Sequence, residues 1–257
     1  MTDAEVLDAY DLDERRFSSI PGMRREEGPR TIRHVPFAGG DGCVIWSALD
    51  AATADAAIDA EIERYRAVRR DFEWKVFGHD APRDLKARLE ARGFEAGEVE
   101  CLCVLDLDDV RPAPPDPPIA LIDNPADLEA VGLVRDAVWG ADERGHMDQL
   151  AAEMKAVGDR LRVYVAHDGG RPASVAWLRM PDGSRFASLW GGSTLPEHRG
   201  RGLYRALVAA RAAEARRRGY RWLTIDAGPM SLPIVRRLGF RPLTGTWPLL
   251  YRTAART

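Results

Sequence analysis

One stretch limits what this chain can fold into more than any other: Leu195-Pro196-Glu197-His198-Arg199-Gly200-Arg201-Gly202-Leu203-Tyr204-Arg205. An apolar run, Phe186 to Trp190, leads into it through Gly191-Gly192-Ser193-Thr194. Behind it the spacing is helical, with Leu203, Ala206, Leu207, Ala210 and Ala213 on one face and Arg205, Arg211 and Glu214 off it. Gly219 is a fitting helix stop, and Tyr220 to Ile225 read as a new strand. Two glycines at a helix start let successive backbone N–H groups converge on one point with no Cβ in the way. The helix N-terminus adds about half a positive charge, and Arg199, Arg201 and Arg205 add whole ones. Such a turn suits a phosphate or pyrophosphate. Each charge-assisted hydrogen bond there is worth roughly 1.5–3 kcal/mol, against about 0.3–1 for the dipole, so amides and arginines dominate.

Three phosphate-loop patterns compete for this turn. A P-loop needs G-x-x-x-x-G-K-S/T, and no Lys-Ser or Lys-Thr pair follows these glycines. A dinucleotide fingerprint is closer, since Gly200-x-Gly202 precedes a helix and Asp226 closes the next strand. Its third glycine position is Arg205, however, where close helix–strand packing excludes a long side chain, and the preceding strands form a meander rather than a βαβ unit. The third pattern fits. Arg199-Gly200-Arg201-Gly202-Leu203-Tyr204 resembles the pyrophosphate loop of the GCN5-related N-acetyltransferases (GNAT), which reads Gln or Arg, two residues, Gly, one residue, then Gly or Ala. The preceding Leu-Pro-Glu-His is typical there, and Arg236-Arg237-Leu238-Gly239-Phe240 is similar to the Gly-Phe strand entry near the end of that domain. The resemblance covers about residues 118–257 and departs at Tyr204, where the family has a small residue.

That resemblance implies an α+β fold: a mixed, mostly antiparallel central sheet flanked by helices. It implies acetyl-CoA as cosubstrate and no metal. Gly192, Ser193 and Thr194 on a splayed strand would pair with the pantetheine arm, and the amides from Gly200 to Tyr204 would hold the pyrophosphate, with Arg199, Arg201 and Leu203 in the same loop. The plainer alternative is a helix cap whose arginines face solvent.

The 257 residues suffice for one large or two ordinary domains, and a net charge of −3 gives no basic excess pointing to nucleic acid. No apolar run is long enough to span a bilayer, and Met1-Thr2-Asp3-Ala4-Glu5 is acidic rather than a signal peptide. Cys43, Cys101 and Cys103 have no C-x-x-C spacing and no histidine cluster, so they read as reduced, core-filling thiols of a cytoplasmic protein, monomer or homodimer.

Along the chain, Thr2–Arg16 reads as an exposed acidic helix, Arg30–Val35 and Cys43–Leu49 as strands, and Ala52–Arg69 as a helix with Ala56, Ile58, Ile62 and Tyr65 inward. Phe72–Phe77 is a strand, Pro82–Arg92 a helix and Glu100–Leu107 a strand. After Arg111-Pro112-Ala113-Pro114-Pro115-Asp116-Pro117-Pro118, a stiff linker, come strand Ile119–Ile122 and helices Pro125–Trp139 and Met147–Val157. Leu161–Ala166, Ala173–Met180 and Ser184–Trp190 form a meander with hairpin signals at Asp168-Gly169-Gly170 and Asp182-Gly183. A helix at Ser231–Leu238 and a strand at Trp247–Tyr251 close the chain. The two halves end alike: strand, long helix, strand, short helix, Gly-Phe, strand. Leu89-Glu90-Ala91-Arg92-Gly93-Phe94 echoes Val235-Arg236-Arg237-Leu238-Gly239-Phe240. The expected organisation is therefore two GNAT-like halves: 1–110, degenerate because Asp50-Ala51 replaces the glycine loop; a linker, 111–118; and 119–257, the acetyltransferase half. The alternative is convergence of two ordinary α/β halves.

In the family a substrate amine attacks the thioester directly and must be neutral to do so. An alkylamine with a pKa near 10.4 leaves only about one molecule in two thousand neutral at pH 7, a gap of roughly 4–5 kcal/mol for a base or a desolvating site to close. The position near Ser188, where family members often carry glutamate, has no carboxylate, and the family's thiolate-protonating tyrosine corresponds to Val235. Remaining candidates are Asp226 as base, His146 and Asp148 over the acceptor pocket, Tyr204 if its side chain turns inward, and Trp139 and Trp190 as pocket walls. His79-Asp80 reads as a helix cap. Two function classes follow: an N-acetyltransferase acting on a small-molecule or peptide amine, or a CoA-binding regulatory protein without catalysis.

Overall fold

The computed structural model describes residues 1–37, 39–110, 117, 119–140 and 144–253; most of the expected linker lies outside them. In chain order the elements are α1 (Asp3–Tyr10), β1 (Met23–Glu27), β2 (Thr31–Pro36), β3 (Gly42–Ser47), α2 (Ala54–Ala67), β4 (Phe72–Phe77), α3 (Leu85–Glu90), β5 (Glu95–Ala96) and β6 (Glu100–Asp106). They continue as β7 (Ile119–Ile122), α4 (Glu129–Trp139), α5 (Arg144–Val157), β8 (Leu161–Asp168), β9 (Arg171–Arg179) and β10 (Phe186–Thr194). The last are α6 (Leu203–Arg217), β11 (Trp222–Ala227), α7 (Leu232–Arg237) and β12 (Arg241–Tyr251). Mixed, mostly antiparallel sheet flanked by helices is the fold class expected.

The chain forms two compact units, Met1–Cys103 with Asp226–Thr257, and Val104–Ile225. In the first, the strand order is β1-β2-β3-β4-β12, with β5 on β12. All these pairs are antiparallel except β3 with β4, which are parallel and joined by α2. Ile58, Ile62 and Tyr65 of α2 pack with Val44, Trp74 and Leu249, and Tyr65 stacks on Phe72 at 4.1 Å. Ala56, expected inward, is exposed, and Ala54 and Glu61 are buried instead. Chain order does not follow the units: β12 starts at Arg241, and its Thr246–Tyr251 stretch pairs antiparallel with Phe77–Phe72 of β4. Residues expected to complete the second half thus complete the first unit's sheet.

The N-terminal segment corrects a second expectation. Val6, Ala9 and Arg15 are buried. Arg15, 2% exposed, donates to Asp80 at 2.7 Å and Asp11 at 2.8 Å and lies 3.9 Å over the Phe77 ring. Asp80, read as part of a cap, is the anchor for that arginine; a buried guanidinium with two carboxylates and an aromatic face fixes the segment in place.

The second unit has the order β11-β10-β9-β8-β7, antiparallel except for β10 with β11, which α6 joins as a parallel pair. Leu128, Val131, Val134, Leu150 and Met154 of the α4–α5 layer cover Val163, Val165, Val175 and Trp177 on one face. Tyr164, between Val163 and Val165, turns to the other face and shares a cleft with Ala210 and Ala213 of α6. Gly169, Gly170 and Gly183 have φ of 59°, 79° and 74°, as the hairpin turns require.

Candidate functional site

The site is built where β10 ends and α6 begins. β10 pairs with β11 only from Phe186↔Trp222 to Ser188↔Thr224. From Leu189 to Thr194 its β11 edge has no strand partner among the described residues. Its register with β9 breaks between Trp190 and Ser193, where Gly191 takes φ 62°. A Cβ at Gly191 would collide with the Trp177 ring, and one at Gly192 would lie 2.8 Å from Cε2 of Tyr204. The two glycines are therefore close-approach positions, and the Tyr204 ring turns inward against the bulge, not out over the loop. Burial pushes its phenol up.

Beyond Thr194, Pro196–His198 form a 3₁₀ turn, and Gly200 and Gly202 adopt φ 76° and 82°. Gly202 caps α6 in the left-handed conformation, which a side chain would strain. The backbone N–H groups of Gly200, Arg201, Gly202, Leu203, Tyr204 and Arg205 donate no hydrogen bond among the described residues. Open amides around two left-handed glycines at the start of a 15-residue helix fit a pyrophosphate.

The charges are arranged differently from the simple count. Arg201 donates to Asp168 at 2.7 Å, and Asp168 also meets His198 Nδ1 at 2.8 Å. The His198 bond, with help from Arg201, holds the Asp168 carboxyl below its usual range. Asp168, which the sequence presented only as a hairpin residue, thus ties the loop to the end of β8. Arg199 donates to Thr194 O at 3.3 Å, leaving exposed Arg205 near the loop glycines. Ser193 and Thr194 are held too: the Trp139 indole donates to Ser193 Oγ at 2.9 Å, and Ser174 Oγ lies 2.7 Å from Thr194 Oγ1. Any ligand along this strand would therefore meet its backbone.

Arg211 corrects an expectation for α6: expected off the inward face, it is 1% exposed. Its Nε donates to Leu207 O at 3.0 Å and Nη1 to Trp177 O at 3.2 Å, with Trp190 O at 3.5 Å. Nη2 has no partner among the described residues. With carbonyls but no carboxylate, burial pulls the guanidinium down to about 10. Helical spacing could not reveal this, because it ranks side chains by apolarity and not by the carbonyls they reach.

Asp226 sits in a cluster of the first unit. Lys75 Nζ donates to it at 2.7 Å and lies 3.5 Å from Glu100. Burial alone would lower the Lys75 ammonium; Asp226 and Glu100 outweigh it and raise the pKa. Burial raises Glu73 and Glu100. His146 and Asp148 are exposed on α5, and Val235 is buried on α7. The cysteines are free thiols; Cys103 is buried, and burial pushes Cys43 up to about 12.

Comparison with known proteins agrees with this geometry. The model of the acetyltransferase (GNAT) family matches residues 133–240. A GCN5-related N-acetyltransferase from Kribbella flavida is 14% identical, with a TM-score of 0.68 over 96% of this chain and 93% of that one. A tandem GNAT protein from the clavulanic acid biosynthesis pathway is 19% identical, with a TM-score of 0.62 over 94% and 86%. A GCN5-related N-acetyltransferase from Sphaerobacter thermophilus is 13% identical, with a TM-score of 0.57 over 98% and 86%. No curated protein sequence matches the chain. At these identities the structures speak for the fold, which they share over nearly the whole chain, and the family model speaks for the segment that carries the loop. The segment 133–240, which carries the loop, is thus similar to the acetyltransferase (GNAT) family.

Proposed function

We propose that this protein is an acetyl-CoA-dependent N-acetyltransferase that acetylates the amine of a small molecule or peptide by direct attack. The observation that carries the reading is the set of open amides from Gly200 to Arg205 around two left-handed glycines. Those amides would hold the pyrophosphate, with Arg199, Arg201, Leu203 and Tyr204 in the same loop. The unpaired edge of β10 at Gly192, Ser193 and Thr194 would take the amide-bearing pantetheine arm as a strand takes a neighbour. Acetyl-CoA supplies a thioester carbonyl open to a nucleophile. The chain's part is to bind, to orient and to keep the acceptor nitrogen neutral.

One observation favours a second reading, a CoA-binding regulatory protein. Asp226, the proposed base, is ion-paired with Lys75 at 2.7 Å, so its carboxylate is already engaged. Ser188 Oγ already accepts from Trp190. Calorimetry with CoA, run beside a thiol-release assay with acetyl-CoA and an amine panel, separates the readings. Binding with release and an N-acetyl product supports the enzyme. Binding without release supports the regulator, and no binding removes both.

A further inference from the structure

Two tryptophans stand out on the face of the second unit's sheet covered by α4 and α5. Trp190 pairs across the strands with Trp177, whose ring belongs to the core under α4 and α5, so Trp190 projects from that same face. Ser193 pairs with Val175 of the same core, and Trp139, the last residue of α4, reaches it. Both indoles remain open, Trp139 57% and Trp190 43% exposed. Neither ring is loose. The Trp139 N–H is held by Ser193 Oγ at 2.9 Å and the Trp190 N–H by Ser188 Oγ at 2.7 Å. The two serines lie on β10 on either side of the Gly191–Gly192 bulge. Arg179, itself paired bidentate with Glu153, backs the Trp190 ring at 4.5 Å. Exposed indoles normally cost solvation and are hidden; here the polar edge is pinned and the apolar faces are left available.

We propose that Trp139 and Trp190 are the walls of an acceptor subsite for an aromatic amine. The proposal rests on the acetyl-transfer reading and names its substrate class. Two further observations point the same way. The Glu153 carboxylate is spent on Arg179, and Ser188, at the strand position from which a carboxylate could take a proton, carries no charge. An aromatic amine delocalises its lone pair into the ring and is neutral at pH 7, so it needs no base to become a nucleophile. Its nitrogen attacks the thioester carbonyl carbon; the N–C bond forms and the C–S bond breaks. The electron pair leaves on sulfur, and the proton lost by nitrogen passes through water to the thiolate. The products are an N-aryl acetamide and CoA thiol.

The test uses 4-methylaniline, benzylamine and hexylamine as probes: one aromatic and neutral, one aromatic and cationic, one neither aromatic nor neutral. Thiol release from acetyl-CoA at about pH 7.5 should favour 4-methylaniline by about tenfold or more in kcat/KM. Calorimetry on the CoA-saturated protein should show 4-methylaniline binding, weakened about fivefold or more in Trp139→Leu and Trp190→Leu, while CoA affinity stays unchanged. Hexylamine or benzylamine used as well as 4-methylaniline would overturn the aromatic-amine assignment and leave the acetyl-transfer reading standing. Unchanged 4-methylaniline affinity in both leucine variants, or no binding of it to the wild type, would overturn the subsite. Failure of the wild type to bind CoA would overturn the underlying reading and this proposal with it.

Discussion

The two units contain the same local device with opposite outcomes. In each, a strand enters a turn, a long helix follows, and the next strand returns parallel to the first: β3-α2-β4 and β10-α6-β11. In the first unit the turn supplies its own anion. The Asp50 carboxylate accepts from the amides of Ala52 at 3.0 Å and Thr53 at 2.9 Å and from Thr53 Oγ1 at 2.8 Å, while Asp50 O accepts from Ala54 N. Hydrogen bonds from Thr53 hold that carboxyl below its usual range. In the second unit two left-handed glycines shape the turn, and no described residue accepts from its amides. The same strand–helix–strand frame thus carries two different turns, one filled by its own carboxylate and one with open amides. The buried charges of the two helices differ in the same sense. Glu61 of α2, 2% exposed, is closed by Arg33 at 2.8 Å and by Thr31, whereas Arg211 of α6 has only carbonyls.

The largest effect should come from removing the glycine that separates the two turns. Gly202→Val puts a β-branched residue at φ 82° and a Cβ into the cradle, so CoA affinity should fall about tenfold or more with the fold intact. Titration as tight as wild type would show that the loop is not the cradle. The same calorimetry should give one CoA per chain; two equivalent sites would break the contrast.

Next come the buried charges. Glu61→Leu leaves Arg33 only the longer pair with Glu26 at 3.5 Å and should cost about 2–3 kcal/mol, or roughly 5–10 °C in Tm. Arg211→Met removes a cation that has no counter-charge, so its cost should be under about 1 kcal/mol, or negative. The folded pKa of Arg211, about 10, is below the unfolded value of about 12.5, so the charged guanidinium opposes folding at pH 7 and that penalty fades as pH rises through 10. Wild type should therefore gain stability relative to Arg211→Met between about pH 9 and 11. Equal Tm losses for both variants would mean that the two charges do the same structural work.

The smallest effect is Asp50→Ala, a few degrees of Tm at most, with CoA stoichiometry still one because Ala51 and Ala52 keep their Cβ atoms. Asp50 has a lowered folded pKa, so its contribution is present above about pH 4 and is lost as pH falls through the lower folded value. Thermal melts of wild type and Asp50→Ala should therefore differ at pH 7 and converge below about pH 4. A second CoA site in this variant would show that the carboxylate alone had closed it.

Elements with a clear period were legible from sequence. β4 and β7 have the expected bounds, and the meander, α6 and the loop lie where hydrophobic alternation and the glycines put them. β1, Met23-Arg24-Arg25-Glu26-Glu27, escaped detection because its side chains pair with one another as ions, Arg24 with Glu26 and Arg25 with Glu27, and carry no apolar alternation. Local chemistry also determined the open turn by itself: left-handed φ at Gly200 and Gly202, a helix start and clustered arginines are properties of a few consecutive residues. Tertiary structure alone decided what joins residues far apart in the chain. Arg15 meets Asp80, β12 meets β4, Arg201 meets Asp168, Asp226 meets Lys75, and the α6 side chain that reaches the β9 and β10 carbonyls belongs to Arg211. Periodicity records which face a residue is on, whereas the partner of a buried charge is set by whichever distant strand or helix packs against that face.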